Sequence, residues 1–333
     1  MSRLPPSFRA FVAERQGEHV EAGVRDFAAI DLPPGEVDIR IEWSSVNYKD
    51  ALATRPDGKV ARISPLIPGI DMAGRVIASR DAAFAPGDAV LAHGYDLGMS
   101  RHGGFAEYER VPAGWVVPLP LGLDARETMA IGTAGFTAGL SIVRLEERGL
   151  EPDSGPVLVT GATGGVGSTA VAILADRGYE VWALTGKADE HAWLETLGAV
   201  GFLSREDASG EGRPLEHERW AAVVDAVGAA TLPYALRTLK YGGAVAASGN
   251  AGGPTFATTV FPFILRGVAL LGIDSAALPI TERRRIWDRL ATDLRPRSLG
   301  ERISEVTLET LPSALDAILA GEARGRWIVR IGA

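Results

Sequence analysis

Midway along the chain, Val157-Leu158-Val159-Thr160 runs straight into Gly161-Ala162-Thr163-Gly164-Gly165-Val166-Gly167, and an Ala- and Val-rich stretch follows. This reads as a short buried strand, a glycine turn and a helix. Few folds use that order. The glycines let the backbone turn tightly and approach a pyrophosphate, whose charge the helix N-terminus stabilises. The turn is therefore expected to hold a dinucleotide.

Roughly 20 residues further on, a site built for NAD places an acid on the ribose 2′-hydroxyl. Here the second strand ends in Leu184-Thr185-Gly186-Lys187. A hydroxyl, a glycine backbone and a cation suit a 2′-phosphate, which a carboxylate would repel, and NADP(H) is the expected cofactor. Asp189 and Glu190 follow closely, and Lys187 also reads as an ordinary solvated lysine. The same turn fits the T-G-x-x-x-G-x-G pattern of short-chain dehydrogenases, which need a Tyr-x-x-x-Lys pair. The tyrosines at 48, 95, 108, 179, 234 and 241 are followed four residues later by Leu52, Met99, Pro112, Ala183, Thr238 and Val245. None is lysine, and that reading fails.

The turn lies far from the N-terminus, and 333 residues are enough for two domains at ~150 residues each. Up to about residue 120 the chain reads as short strands (Phe8–Ala13, Val37–Val46, Asp71–Ala78, Ala89–Ala92, Phe105–Val111) broken by turns such as Leu32-Pro33-Pro34-Gly35. That spacing predicts a small barrel-like domain. Asp124 is a helix N-cap candidate with Glu127 as its capping-box partner. From Pro156 strands at Val157–Thr160, Glu180–Leu184, Ala221–Asp225, Ala244–Ser248 and Val268–Ile273 alternate with helices at Val166–Arg177, His191–Thr196 and Thr231–Leu239. The alternation predicts a parallel, doubly wound sheet. The tail offers an Arg-rich helix (Thr281–Leu294), a strand near Ser304–Thr307, a helix (Leu311–Leu319) and a last strand, Trp327–Ile331. Expected boundaries are 1–124, completed by 279–333, for the first domain and 125–278 for the second.

A net charge of −8 argues against nucleic acid, whose phosphates need a basic surface. With no cysteine, disulfides, thiolate chemistry and Cys-containing zinc sites drop out. The five histidines (19, 93, 102, 191, 217) show no H-x-x-H or H-E-x-x-H spacing, so no metal is expected. The N-terminus lacks the h-region of a signal peptide, and no run approaches the ~18 apolar residues of a membrane span. A cytoplasmic protein is expected.

An N-terminal β domain, a central A-x-x-G-G-V-G Rossmann domain and a return segment resemble the medium-chain dehydrogenase/reductase superfamily. Longer motifs narrow this: Ser44-Ser45-Val46-Asn47-Tyr48-Lys49-Asp50-Ala51-Leu52-Ala53, Ile67-Pro68-Gly69-Ile70-Asp71-Met72-Ala73-Gly74, Ile131-Gly132-Thr133-Ala134-Gly135-Phe136-Thr137-Ala138, Thr258-Thr259-Val260, Pro262-Phe263-Ile264-Leu265-Arg266 and Gly272-Ile273-Asp274-Ser275. Together they are similar to the zinc-free acrylyl-CoA reductase (NADPH) group, also known as YhdH-type quinone oxidoreductase-like proteins. The resemblance covers essentially the whole chain. It implies an α/β architecture, a GroES-like β-barrel domain plus a doubly wound Rossmann domain, and reduction of the C=C bond of acrylyl-CoA. It implies NADP(H) contacts at Tyr48, Thr163, Gly164, Gly165, Val166, Thr185, Gly186, Lys187, Arg205, Asn250, Ile264 and Ser275, and a weaker one near Gly321.

Without a metal, charge developing on a substrate oxygen must be met by hydrogen-bond donors. Asn47, Tyr48 and Asp71 are the candidate catalytic residues, in a segment that faces the nicotinamide in relatives. Tyr48 reads as a proton donor or as a support for the cofactor amide, since a phenol of pKa ~10 is a slow acid. Asp71 reads either as the organiser of a donor network or as a buried carboxylate capping backbone amides; solvent is another proton source. Arg283, Arg284, Arg285 and Arg289 offer a grip on coenzyme A phosphates or, more ordinarily, a solvated helix face. His102 reads as a surface histidine and Arg326 as structural. The alternatives are an NADPH:quinone oxidoreductase acting on a quinone, or a non-catalytic NADP(H) sensor without donors in its cleft. A homodimer is expected by analogy, with the apolar segment Phe261–Ile273 as an edge strand of the Rossmann sheet at which relatives pair.

Overall fold

The structure, a computed structural model, describes residues 4–209 and 212–332. It divides into two compact units, residues 1–133, 276–291 and 299–333, and residues 134–275 with 292–298. The division falls nine residues past the expected 124/125 boundary, because the helix Ala125–Glu146 is broken inside, at Gly132 (φ 52°, ψ −165°). That helix is long and apolar enough to cross a membrane, but 89% of its apolar window is buried within the protein, so it serves as a core helix.

In the first unit Val37–Ser45 is the central strand. One edge pairs antiparallel with Asp71–Ser79, which continues to Ala89–His93 and Val116–Pro118. The other edge is shared end to end by Tyr108–Val111 and Arg326–Arg330, and the latter pairs parallel with Ile303–Thr307. A hairpin, Ser7–Gln16 with His19–Ala28, packs separately. Its second strand is mostly solvent-facing and leaves little hydrophobic signal in the sequence. Phe8, Phe11 and Phe27 of the hairpin bury against Leu311 and Leu315 of the C-terminal helix, so the return segment completes this core.

The second unit is a six-stranded sheet, all of whose pairings are parallel. Its order is Ala199–Leu203, Val181–Leu184, Val157–Thr160, Trp220–Asp225, Leu239–Ala247, Ala269–Gly272. The order reverses between Val157–Thr160 and Trp220–Asp225, and ligands of such sheets bind beyond the carboxyl ends of the strands at that switch. Ala199–Leu203, unforeseen from its short, glycine-interrupted pattern, is the edge strand on one side. The segment 261–273 is not one edge strand: Phe261–Arg266 is a helix with Pro262 in its first turn, ended by Gly267 in the left-handed region, and only Ala269–Gly272 is strand. Proline fits a helix's first turn, where its missing N–H costs nothing, and a left-handed glycine ends the helix.

Candidate active site and cofactor cradle

In the second unit the glycine turn is braced from below. Thr160 Oγ1 at the end of its strand donates to Asp225 Oδ1 at 2.6 Å and Gly228 N donates to the same carboxylate at 2.9 Å, while Thr231 Oγ1 lies 3.1 Å from it and 2.7 Å from the Gly228 carbonyl oxygen. Asp225 therefore ties the two strands flanking the switch to the loop that follows. Sequence reasoning missed it; its signal was an acid ending an apolar strand. A β-carbon on Gly167 would lie 2.3 Å from the Gly161 carbonyl oxygen, so only glycine allows the helix to sit this close to its strand. The twelve-residue helix Gly165–Asp176 begins after Gly164, whose lack of a side chain leaves no side-chain cap. Its first N–H groups are the kind that accept an anion.

The expected 2′-phosphate residues converge. Thr185 N donates to Leu203 O at 3.0 Å, and Thr185 Oγ1 accepts from Lys187 N at 3.1 Å. The Arg205 guanidinium lies directly over Gly186, where a β-carbon would come within 2.7 Å of its Nε. The Arg205 guanidinium thus covers a backbone with no side chain at Gly186, next in sequence to Lys187, an arrangement that fits a phosphate. Asp189 and Glu190 sit in the next turn. Asn250 is exposed beyond the strand Leu239–Ala247. Ser275 Oγ accepts from the buried Thr137 Oγ1 at 2.7 Å. Ile264 is exposed on its helix, and the strand after it lies three positions along the sheet from Val157–Thr160.

In the first unit a buried polar cluster forms where the central strand ends. Asp71 is fully buried and accepts hydrogen bonds from Ser45 Oγ, Asn47 Nδ2 (2.8 Å), Thr133 N (3.0 Å) and Thr133 Oγ1. Arg326, 3% exposed, donates to Ser45 Oγ at 2.8 Å and to Asn47 Oδ1 at 3.4 Å, and lies 4.0 Å from Asp71. Arg326 is thus more than a strand opener: it is the cation of this cluster. Burial pulls its guanidinium below the ordinary value, while Asp71 and Asp50 oppose that shift. The break at Gly132 is part of the same construction, because a β-carbon there would fall 2.5 Å from Arg326 Nη2 and 2.9 Å from Asp71 Oδ2.

Asp50 is a further member the sequence reading passed over, although Asn47-x-x-Asp50 has capping-box spacing. Its carboxylate accepts from Asn47 N at 2.8 Å and Ile70 N at 2.9 Å. Burial, helped by Asp71, pushes it up to about 7. Asn47 and Asp71 are brought together in the buried cluster. Tyr48 is not: it is 45% exposed at the start of the helix Tyr48–Ala53.

Two expectations need correction. His102 is buried, not a surface residue: its Nδ1 accepts from Ile67 N at 3.1 Å and its ring meets Phe27 edge-on. Burial, with Arg101 nearby, lowers its pKa to about 4. Arg283 is neither a coenzyme A grip nor part of a solvated face. It is fully buried, donates to the carbonyls of His93 (2.8 Å) and Ala276 (2.9 Å), and packs 4.4 Å over Tyr95. Arg284 and Arg285 are exposed, and Arg285 pairs with Glu282. Among the described residues no three His, Asp or Glu side chains come together as a metal site.

Comparison with known proteins fixes the class. Residues 33–121 match the alcohol dehydrogenase GroES-like domain and residues 165–292 the zinc-binding dehydrogenase family. The chain belongs to the medium-chain dehydrogenase/reductase superfamily and is an oxidoreductase with a GroES-like and a Rossmann domain. Within it, the chain is 48% identical over 329 residues to the acrylyl-CoA reductase AcuI of Ruegeria pomeroyi, covering 98% of this chain and 100% of AcuI. It superposes on the YhdH oxidoreductase of Salmonella enterica solved with NADP (TM-score 0.95, 46% identity, 97% and 100% covered). It superposes equally on YhfP of Bacillus subtilis solved with NAD (TM-score 0.95, 48% identity, 97% and 99% covered).

Proposed function

We propose that the chain reduces the C=C bond of a short enoyl-CoA, acrylyl-CoA to propanoyl-CoA, with NADPH. Full-length similarity to AcuI is the observation that carries this reading. NADPH, held at Thr163–Val166 and at Thr185, Gly186, Lys187 and Arg205, would supply hydride to the β-carbon, and the negative charge would collect on the substrate's thioester oxygen as an enolate. The chain's own part is to meet that charge and let Cα take a proton. Asn47, held by Asp71 and Arg326, is the donor nearest the start of the Tyr48 helix, and Tyr48 supports the cofactor amide. Thr163–Val166 cradle the pyrophosphate; Thr185, Gly186, Lys187 and Arg205 take the 2′-phosphate. Asn250, Ile264 and Ser275 complete the cofactor contacts. A cytoplasmic setting belongs to the same proposal. So does a homodimer formed at the edge strand Ala269–Gly272, beside which Val260, Phe261, Ile264 and Leu265 stand exposed.

A second reading has its own support. YhfP is provisionally named a quinone oxidoreductase, at 48% identity over 326 residues. One assay separates the two: NADPH oxidation followed with acrylyl-CoA, crotonyl-CoA and a soluble quinone. Turnover of the thioesters with negligible quinone reduction is expected. Turnover of quinone alone refutes the thioester assignment.

A further inference from the structure

The cofactor cradle does not exhaust the second unit. A separate cleft of about 560 Å³ opens on its surface, within the range of ~300–1,000 Å³ usual for small-molecule sites. It is lined by Pro233 and Arg237 of the helix Thr231–Thr238, by Arg213 upstream, and by Phe256, Thr258 and Thr259. None of its lining residues is among the cofactor contacts proposed above. Two loops set its place, those that follow the strands Trp220–Asp225 and Leu239–Ala247, at the ends of the sheet where ligands bind. Gly252 N donates to Val227 O at 2.8 Å, and Gly228 and Gly253 form an isolated parallel bridge. A β-carbon on Gly228 would lie 2.9 Å from Gly253 O, so glycine is what lets the loops meet. Beyond this tie, residues 254–260 run exposed to the helix Phe261–Arg266. One stretch of chain thus carries Asn250, then the cleft residues, then the helix of Ile264, so the cleft is flanked in sequence by two proposed cofactor contacts.

The lining has a definite chemistry. Arg213 is exposed and, among the described residues, forms no ion pair. Arg237 pairs with Glu216 at 2.8 Å and lies 5.5 Å from the Tyr234 ring centroid, so it is held in place and its charge is shared. Phe256 leaves 38% of a large apolar residue in solvent, and the Thr258 and Thr259 hydroxyls have no hydrogen-bond partner among the described residues. An aromatic face beside an uncompensated guanidinium and available hydroxyls suits a phosphorylated adenosine. The base stacks on the ring, Arg213 takes a phosphate with Arg237 adding to the positive field, and the hydroxyls reach phosphate or ribose oxygens. We propose that this cleft holds the phosphorylated adenosine end of a coenzyme A thioester, with the pantetheine arm leading toward the cofactor. The proposal rests on the enoyl-CoA reading. It gives coenzyme A a grip that the buried Arg283 cannot supply, remote from the reacting carbons, where binding energy serves to hold and orient the substrate.

Two thioesters of one acyl group separate the tail from the reacting end: acrylyl-CoA, and acrylyl-pantetheine, which lacks the phosphorylated adenosine. For the wild-type enzyme kcat/KM should be at least about tenfold higher with acrylyl-CoA, the worth of one charge-assisted contact. Arg213→Ala should remove most of that ratio, and Phe256→Ala should lower it about fivefold, the low end for a base on an aromatic ring. Equal kcat/KM for the two thioesters, or losses that fall on both alike, overturn the proposal. The second readout needs no turnover. With the cradle filled by saturating NADP⁺, calorimetry should find one further site for adenosine 3′,5′-bisphosphate, about tenfold weaker in Arg213→Ala. Binding abolished by NADP⁺ puts the probe in the cradle, and equal affinity for 5′-ADP makes the cleft a general adenine-nucleotide site; either result overturns coenzyme A as the occupant. The two readings fail separately. Thioester turnover without this binding removes the cleft and leaves the reductase, whereas turnover of quinone alone removes the reductase reading while the bisphosphate titration still decides the cleft.

Discussion

The two units handle charge in opposite ways. Among the described residues, the first buries Asp38, Asp50, Asp71, His93, His102, Glu109, Arg283 and Arg326, whereas the second buries only Asp225 and leaves Arg205 on its surface. Buried charges survive only when paired and hydrogen-bonded, and removing one partner strands the other. An exposed cation costs little to keep and acts on whatever anion arrives. Chemistry in the first unit is therefore coupled to folding and to pH, and in the second to ligand charge. Substitutions should sort by unit accordingly.

The largest effect is expected at Asp71. Asp71→Ala leaves Arg326 buried with its nearest full negative charge removed, and should cost about 3–5 kcal/mol of stability, the range for breaking a buried pair. Chemical unfolding at pH 7 measures it. A loss below about 1 kcal/mol would mean that the cluster behaves like a surface pair, and the contrast between the units would collapse.

Next comes Glu109, which is fully buried on the strand Tyr108–Val111 with neither carboxylate oxygen in a formed hydrogen bond. Burial pushes it up to about 8, against the pull of the Arg110 amide and of the Arg101 and Arg110 guanidiniums. Because its folded pKa lies above the unfolded one, its contribution is complete below about pH 4.5 and is lost as pH rises toward 8. Asp50 acts in the same direction but is exhausted near pH 7. The buried His102, lowered to about 4, acts oppositely, adding stability as pH rises to its unfolded value near 6.5. Between pH 6.5 and 8 Glu109 is left as the main slope, about 2 kcal/mol in all. Glu109→Gln should flatten unfolding midpoints over that range; an unchanged slope would place the titrating group elsewhere.

In the second unit the expected loss is smaller and ligand-specific. Lys187→Ala should weaken NADPH about tenfold, near 1.4 kcal/mol for one charge-assisted contact, and leave NADH almost untouched. Because screening weakens exposed charges, the NADPH penalty should shrink as salt rises. Equal losses for both cofactors would remove the 2′-phosphate assignment.

These contrasts also explain what the sequence made legible. The glycine turn and Thr185-Gly186-Lys187 act through backbone and local spacing, so their residues are contiguous and readable. The strands of the parallel sheet were visible as apolar runs, apart from the glycine-interrupted Ala199–Leu203. The buried cluster is different. Ser45, Asn47, Asp71, Thr133 and Arg326 come from segments up to 281 residues apart, and no periodicity links them. Asp50 announced itself only through the spacing of a helix cap. Arg283 and His102 were misread because charge predicts exposure until partners from distant segments, such as the His93 and Ala276 carbonyls, are known to be waiting.

The smallest effect is expected at Tyr48, and it tests where the boundary between the two behaviours lies. Tyr48 adjoins Asn47 in sequence, yet it stands 45% exposed outside the buried cluster. A general acid contributes about 10²–10⁴ to the rate, so Tyr48→Phe decides between the two roles a phenol here can have. If Tyr48 supports the cofactor amide and Cα takes its proton from solvent, kcat should fall by no more than about threefold, less than one hydrogen bond's worth, and the loss should appear mainly in KM for NADPH. A loss of a hundredfold in kcat, with a matching change in the solvent isotope effect, would make the exposed phenol the acid. The proton chemistry would then lie at the surface of the first unit rather than with the groups it buries.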